Sequence, residues 1–291
     1  MYSTLGVTSL VIATVLWGSS FPVIKMTVEN IGALTYTWAR SLIALLLLTP
    51  YVIHSYLRGR VNVEVVKSGL LTGIAYTLGL WLQGWGTMYT TASNAAFITG
   101  LHVVFVHIYA ALFERRYNIL LLVELILALA GLYLLTMPRG GVNIGDMLVL
   151  LSAVAWAAQV VLVSKYSEHP PLIFTYFEIL PALLLAIPDL VSAYKLWLSL
   201  DVTSILGLTY LALVCTVAAF SLQVYGQRYV PPEIASLIYL LEPVFALFFS
   251  WLILNEKLTL PQIAGSGLML CSMFLAVRGL YQYRTPAVKC E

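Results

Sequence analysis

Glu242 is a carboxylate inside an apolar run of lipid-spanning length, with Pro243 directly after it. A charge and a helix breaker are both costly there, and together they mark a place where a cationic group or a proton binds. The plainer reading is a kink residue, hydrogen-bonded to backbone groups that Pro243 frees. His102 stands in an earlier apolar run. An imidazole can change charge near neutral pH, although a packed histidine with satisfied ring nitrogens is the plainer reading. His107 lies one and a half helical turns further on and faces another way. Arg40 and Glu178 end two similar pieces, YTWAR (Tyr36–Arg40) and FTYFE (Phe174–Glu178), and so put opposite charges at related places. Arg40 either pairs with a carboxylate, of the protein or of a cargo, or snorkels to the interface. Glu178 reads as one half of a structural ion pair or as a site residue. Glu124 reads as solvated, or paired with Arg115 or Arg116, at the cytoplasmic end of its run.

Neutral groups complete the set. Gln83 and Gln223 suit either interhelical hydrogen bonds or a polar cavity wall. Tyr76 and Tyr239 fall mid-run, where a π-face and a hydroxyl together suit a cavity. Trp17 opens the motif WGSSFPVIK, in which Gly18–Ser20 precede Pro22. Pro22 and Pro243 are hinge candidates, against the alternative of static bends. No GxxxxGK[ST] run, metal-ligand spacing or nucleophile–base pair is present. The expectation is therefore no enzyme, no cofactor and no metal, with any transport driven by a proton, by a counter-substrate or by a gradient of the cargo itself.

The elements that must hold these residues follow from composition. The chain has 291 residues, 61% hydrophobic and 10% charged, with a mean hydropathy of +0.93. Soluble proteins carry about 25% charged residues, so this composition belongs in a lipid bilayer. A net charge of +2 gives no footprint for nucleic acid. Cys215, Cys271 and Cys290 are too widely spaced for a disulfide framework. Ten apolar runs span about 5–25, 33–56, 66–88, 93–113, 118–137, 145–165, 171–191, 203–227, 233–254 and 259–281. All read as helices, because lipid-facing strands leave backbone groups unpaired. The first run, without Lys or Arg before Lys25, reads as a retained span rather than a cleaved signal. With both termini inside, cytoplasmic ends carry ten Lys and Arg and external ends four, which supports that orientation in a cell membrane.

The chain also repeats. Shifted by 140 positions, Leu82, Gln83, Gly86, Tyr89, Ala95, Ile98, Leu101, Val104, Phe105 and Leu112 fall on identical residues from Leu222 to Leu252. The first helices are looser relatives, with WGSSFPVIK starting at Trp17 and WAAQVVLVSK at Trp156. Residues 1–140 and 141–284 are thus two five-helix repeats, with 285–291 a short cytoplasmic tail. An odd number of spans per half inverts the second relative to the first, and inverted repeats place a cargo site near the midplane between them.

LEPVFALFFSWLILNEKLT (Leu241–Thr259), QIAGSGLML (Gln262–Leu270), WGSSFPVIK and TASNAAFITGLHVVFVHIYAALFERR (Thr91–Arg116) resemble the drug/metabolite transporter superfamily, in particular its EamA-like ten-helix members. The first-half copy departs at three places: His102, Val103 and Arg116 stand where Glu242, Pro243 and Glu256 do, so the halves are not equivalent. The resemblance implies an all-α basket around a central cavity and transport of small metabolites, often amino-acid efflux. The expected function is a secondary active exporter of amino acids or related zwitterionic and amine compounds, as a monomer or homodimer. Phosphorylated sugars or nucleotide-sugars would need several midplane cations, and only Arg40 is available. A non-transporting scaffold or lipid-handling protein would need neither the repeat nor its repeated polar positions.

Overall fold

The computed structural model describes residues 2–90, 92–114, 118–137, 143–189, 202–254 and 259–284. Arg115, Arg116, Arg139, Lys195, Lys257 and the tail from 285 lie outside them. The first half contains α1 (Tyr2–Gly18), α2 (Phe21–Ile31), α3 (Ala33–Leu57), α4 (Val63–Thr87), α5 (Ala92–Gly100), α6 (His102–Tyr109) and α7 (Ile119–Thr136). The second contains α8 (Ile144–Tyr166), α9 (Pro171–Ile179), α10 (Val202–Ala212), α11 (Ala219–Gln227), α12 (Pro232–Tyr239), α13 (Glu242–Leu254) and α14 (Leu260–Arg284). Among the described residues, nine helical segments are long and apolar enough to cross a membrane, and Thr4–Gly18 is a shorter apolar helix. The protein is an all-α, multi-pass membrane protein.

Several expected spans are interrupted rather than continuous. The first breaks at Ser19 and Ser20 before α2, with Pro22 at the start of that helix. The fourth breaks at Leu101 and the ninth at Leu240–Leu241. The eighth carries a π-helical turn at Leu213–Ala218, and the seventh passes from α9 into a 3-10 stretch at Leu180–Leu185. Short connections are closed by asparagine caps. Asn62, Asn118 and Asn143 accept from the backbone N–H groups of Val65, Leu121 and Asp146. Each cap satisfies a donor that the first helical turn leaves open.

Helices of one half pack on helices of the other. α4 lies along α8, α1 along α11, and α7 along α14. The shared Gly86/Gly226 register explains two of these contacts. A Cβ on Gly86 would stand 2.7 Å from Gly145 O of α8, and one on Gly226 would stand 2.9 Å from Gly6 O of α1. Both sites require glycine because backbones meet there, as small residues permit between membrane helices. The apolar cores between these pairs leave the middle of the bundle to polar side chains.

Candidate functional site

The helix breaks converge on the centre. Leu101 N–H donates to Ile98 O at 3.1 Å and Leu241 N–H to Ile238 O at 3.0 Å, the same tightened turn at the same repeat position. The break at Leu101 forms with Val103 where the second half has Pro243, so proline is not its common cause. Pro243 occupies the second position of α13, where its missing N–H costs no intrahelical bond. At the break of the first span, a Cβ on Gly18 would stand 2.9 Å from Glu242 O, so this chain turn sits against the start of α13.

Between the breaks lies a cavity with an empty volume of about 650 Å3, its open mouth included. Twelve of the fifteen described residues that line it form six repeat pairs. Leu80 and Phe220, Gln83 and Gln223, Thr99 and Tyr239, and His102 and Glu242 are each 140 positions apart. Trp17 and Trp156, and Ser20 and Gln159, are 139 apart. Arg40 lines the cavity without a lining partner of this kind.

Arg40 is buried, 2% exposed, and does not snorkel. Its Nε donates to Thr216 Oγ1 at 2.6 Å, Nη1 to Tyr36 Oη at 2.6 Å and Nη2 to Cys215 O at 2.9 Å. The expected protein carboxylate is not among these partners. Glu242 opens α13 on the cavity wall, and its carboxylate makes no hydrogen bond among the described residues. The two charges share one cavity without a direct ion pair.

A polar cluster backs the opposite wall. Gln159 and Gln223 exchange reciprocal Nε2–H···Oε1 bonds, both 3.0 Å. The second N–H of Gln159 donates to Glu178 Oε1 at 2.6 Å. Glu178 is fully buried behind the cavity wall and answers to an amide rather than to a cation, which corrects the ion-pair expectation. Gln227 Nε2 donates to Val160 O and Ser164 Oγ, both at 2.8 Å, while its Oε1 accepts from the Tyr239 hydroxyl at 3.1 Å. On the first-half side, Gln83 Nε2 donates to Thr99 Oγ1 and Gln83 Oε1 accepts from Trp156 Nε1, both at 3.3 Å. His102 Nδ1 lies 3.0 Å from Thr99 O, which leaves its other edge for the cavity.

The structure therefore brings together Glu242, His102, Arg40, Gln83, Gln223, Tyr239 and Trp17. Tyr76 stands behind the wall, its ring 5.0 Å from Phe220 and 6.1 Å from Trp156. Glu124 is 1% exposed, not solvated, because its helix face turns toward α14, where Ser272 donates to the Glu124 carbonyl. Gln159, Phe220 and Thr99 were not singled out from the sequence, and Ser20 and Trp156 only as parts of motifs; the 139 offset that relates Trp17 to Trp156 would have paired Ser20 with Gln159. The cavity joins one cation, one carboxyl group, amides, hydroxyls and aromatic faces, a set suited to holding a small polar solute. Among the described residues no three His, Cys, Asp or Glu side chains cluster as metal ligands do.

The protein is a helical multi-pass membrane bundle with a polar cavity lined from both halves. The chain belongs to the EamA-like transporter family, whose profile matches residues 4–137 and again residues 143–278. An uncharacterized transporter of Archaeoglobus fulgidus is 32% identical over 281 residues, covering 94% of this chain and 85% of that one. A Salmonella typhimurium protein named as a probable amino-acid metabolite efflux pump is 28% identical over 309 residues, 95% of this chain and 96% of its own. One crystal structure superposes with a TM-score of 0.76 over 96% of this chain and 99% of that one, at 15% identity, which shows the fold alone.

Proposed function

We propose that the protein is a secondary active exporter of small metabolites, amino acids and related zwitterions or amines, working by alternating access between inverted repeats 1–140 and 141–284. The observation that carries this reading is the pairing of the cavity wall. Six lining pairs come from the two repeats, so the cavity lies where rocking of one half against the other would expose it to either side in turn. The presence of one cation and one anion, Arg40 and Glu242, favours a zwitterion over a multiply phosphorylated cargo. The Salmonella relative's name supports amino-acid efflux. An Escherichia coli relative, 25% identical over 283 residues and called an inner membrane transporter, supports a cell-membrane location. The bias of Lys and Arg supports cytoplasmic termini. A proton or a counter-substrate is the coupling partner in this reading.

A thermal-unfolding screen of the purified protein against amino acids, polyamines, simple amines, sugars and nucleotide-sugars tests it. A ligand of the folded state raises the transition temperature with concentration. Stabilisation by amino acids or amines is expected; stabilisation by a nucleotide-sugar alone overturns the cargo class.

A further inference from the structure

The π-helical turn at Leu213–Ala218 has a consequence for the cargo. In a regular helix the Ala219 N–H would serve Cys215 O; here it goes to Val214 O and Thr216 O. Cys215 O is thereby released in the middle of the bundle, and it accepts from both Trp17 Nε1 at 3.1 Å and Arg40 Nη2 at 2.9 Å. The next residue, Thr216, donates its hydroxyl hydrogen to Leu211 O at 3.0 Å and so presents a lone pair to Arg40 Nε. The turn is a seat for a guanidinium. π-turns inside helices recur at functional sites, and here the function of the turn is legible.

The seat is made only of neutral acceptors. A guanidinium has five N–H donors; Thr216, Tyr36 and Cys215 take three. One N–H on each terminal nitrogen remains without a partner among the described residues, on a side chain that lines the cavity. A buried cation without a paired anion is costly, and unclaimed guanidinium N–H groups are matched by the oxygens of a carboxylate.

We infer that Arg40, seated by the π-turn at Leu213–Ala218, is the carboxylate subsite of the cargo, and that a free carboxylate is obligatory in what this protein binds. Glu242 takes the cargo's ammonium, and the Trp17, Trp156 and Phe220 rings take its apolar part. This rests on the cargo-site reading above and narrows it, because amines and polyamines that lack a carboxylate are excluded. Thr216 is a positioning residue, since it acts through Arg40.

The test compares three mixtures in thermal unfolding of the purified protein: the common amino acids, the same amino acids as primary amides, and the same as N-acetyl derivatives. The amino acids should stabilise the protein, the amides should not, and the N-acetyl derivatives, which keep the carboxylate but lose the ammonium, should stabilise it less than the free amino acids. Arg40→Lys should weaken binding of the responding amino acid by about ten- to a hundredfold, the worth of a hydrogen bond to a charged group. Thr216→Val should shrink the preference for acid over amide while leaving the fold intact. Equal stabilisation by acids and amides overturns the carboxylate subsite and leaves the cargo-site reading standing. No response to any mixture overturns both. Stabilisation by chloride, to which amino acids add nothing, assigns Arg40 to an inorganic anion and also overturns the inference. The amide comparison needs no variant, so a misfolded Arg40→Lys protein does not weaken the test.

Discussion

Two helix crossings that the repeat relates have opposite states. Where the sixth span crosses the eighth, Gln159 and Gln223 are tied by two 3.0 Å bonds. Further along, Gln227 binds Val160 O and Ser164, and Arg228 binds Ser167 O and His169 O, both at 2.9 Å. Where the first span meets the third, the counterparts are Ser20 and Gln83. They do not touch each other: Ser20 Oγ donates to Trp17 O, Gln83 turns to Thr99 and Trp156, and both face the cavity. Thr87, the counterpart of Gln227, bonds among the described residues only within its own turn, to Gly84 O. Among the described residues, one crossing is bolted by side-chain bonds across it and the other carries none between Ser20 and Gln83. In the alternating-access cycle proposed above, the two crossings exchange roles. Tyr239 lines the cavity and also bonds to Gln227, so it connects an occupant to the bolted end.

The largest expected effect is on access. In a background with the other cysteines replaced, Thr87→Cys, at a half-buried position, should react with a charged, water-soluble thiol reagent about a hundredfold faster than Gln227→Cys, because buried Gln227 is reached only by local opening. Equal rates break the comparison. Next comes stability. Gln223→Leu strands the Gln159 amide and disturbs its bond to Glu178, a loss of about 2 kcal/mol. Gln83→Leu removes two long bonds and should cost about 0.6 kcal/mol, the membrane average. Denaturation of both variants in the same detergent checks the difference, and a reversed order contradicts it. The smallest is Tyr239→Phe, which should cost about 0.6 kcal/mol in stability yet speed modification of Val163→Cys, a buried position next to Ser164 that leaves Gln227 in place. An unchanged rate would remove the link between cavity and bolt.

Much of this was legible in the sequence. The apolar runs, the 140-residue repeat and the odd polar residues within spans are properties of composition and register, which lipid enforces strictly. Hence His102, Arg40, Gln83, Gln223, Tyr239 and Glu242 came to notice before the cavity that holds them. Other features were not legible for physical reasons. The one-residue difference between the 139 and 140 offsets hid Ser20 and Gln159 from a gapless comparison. The π-turn uses Leu213–Ala218, residues indistinguishable from ordinary helix, and the donors that meet its Cys215 carbonyl, Arg40 and Trp17, are far away in sequence. Glu124 was misread because a helix apolar all round gives no sign of which face meets another helix. Glu178 was expected to find a cation, but a buried amide meets one of its oxygens instead.

In the proposed function, cargo binds between the two repeats and crosses the membrane from there. Counterflow in proteoliposomes tests this most directly: vesicles loaded with unlabelled amino acids are diluted into the same amino acids carrying a radiolabel. The wild-type protein should accumulate label transiently above protein-free vesicles, and Glu242→Gln, correctly folded by its unfolding curve, should cut the initial rate about tenfold or change its pH dependence. Wild-type uptake no greater than that of protein-free vesicles, or a Glu242→Gln protein that matches wild type in rate and pH profile, would contradict the account.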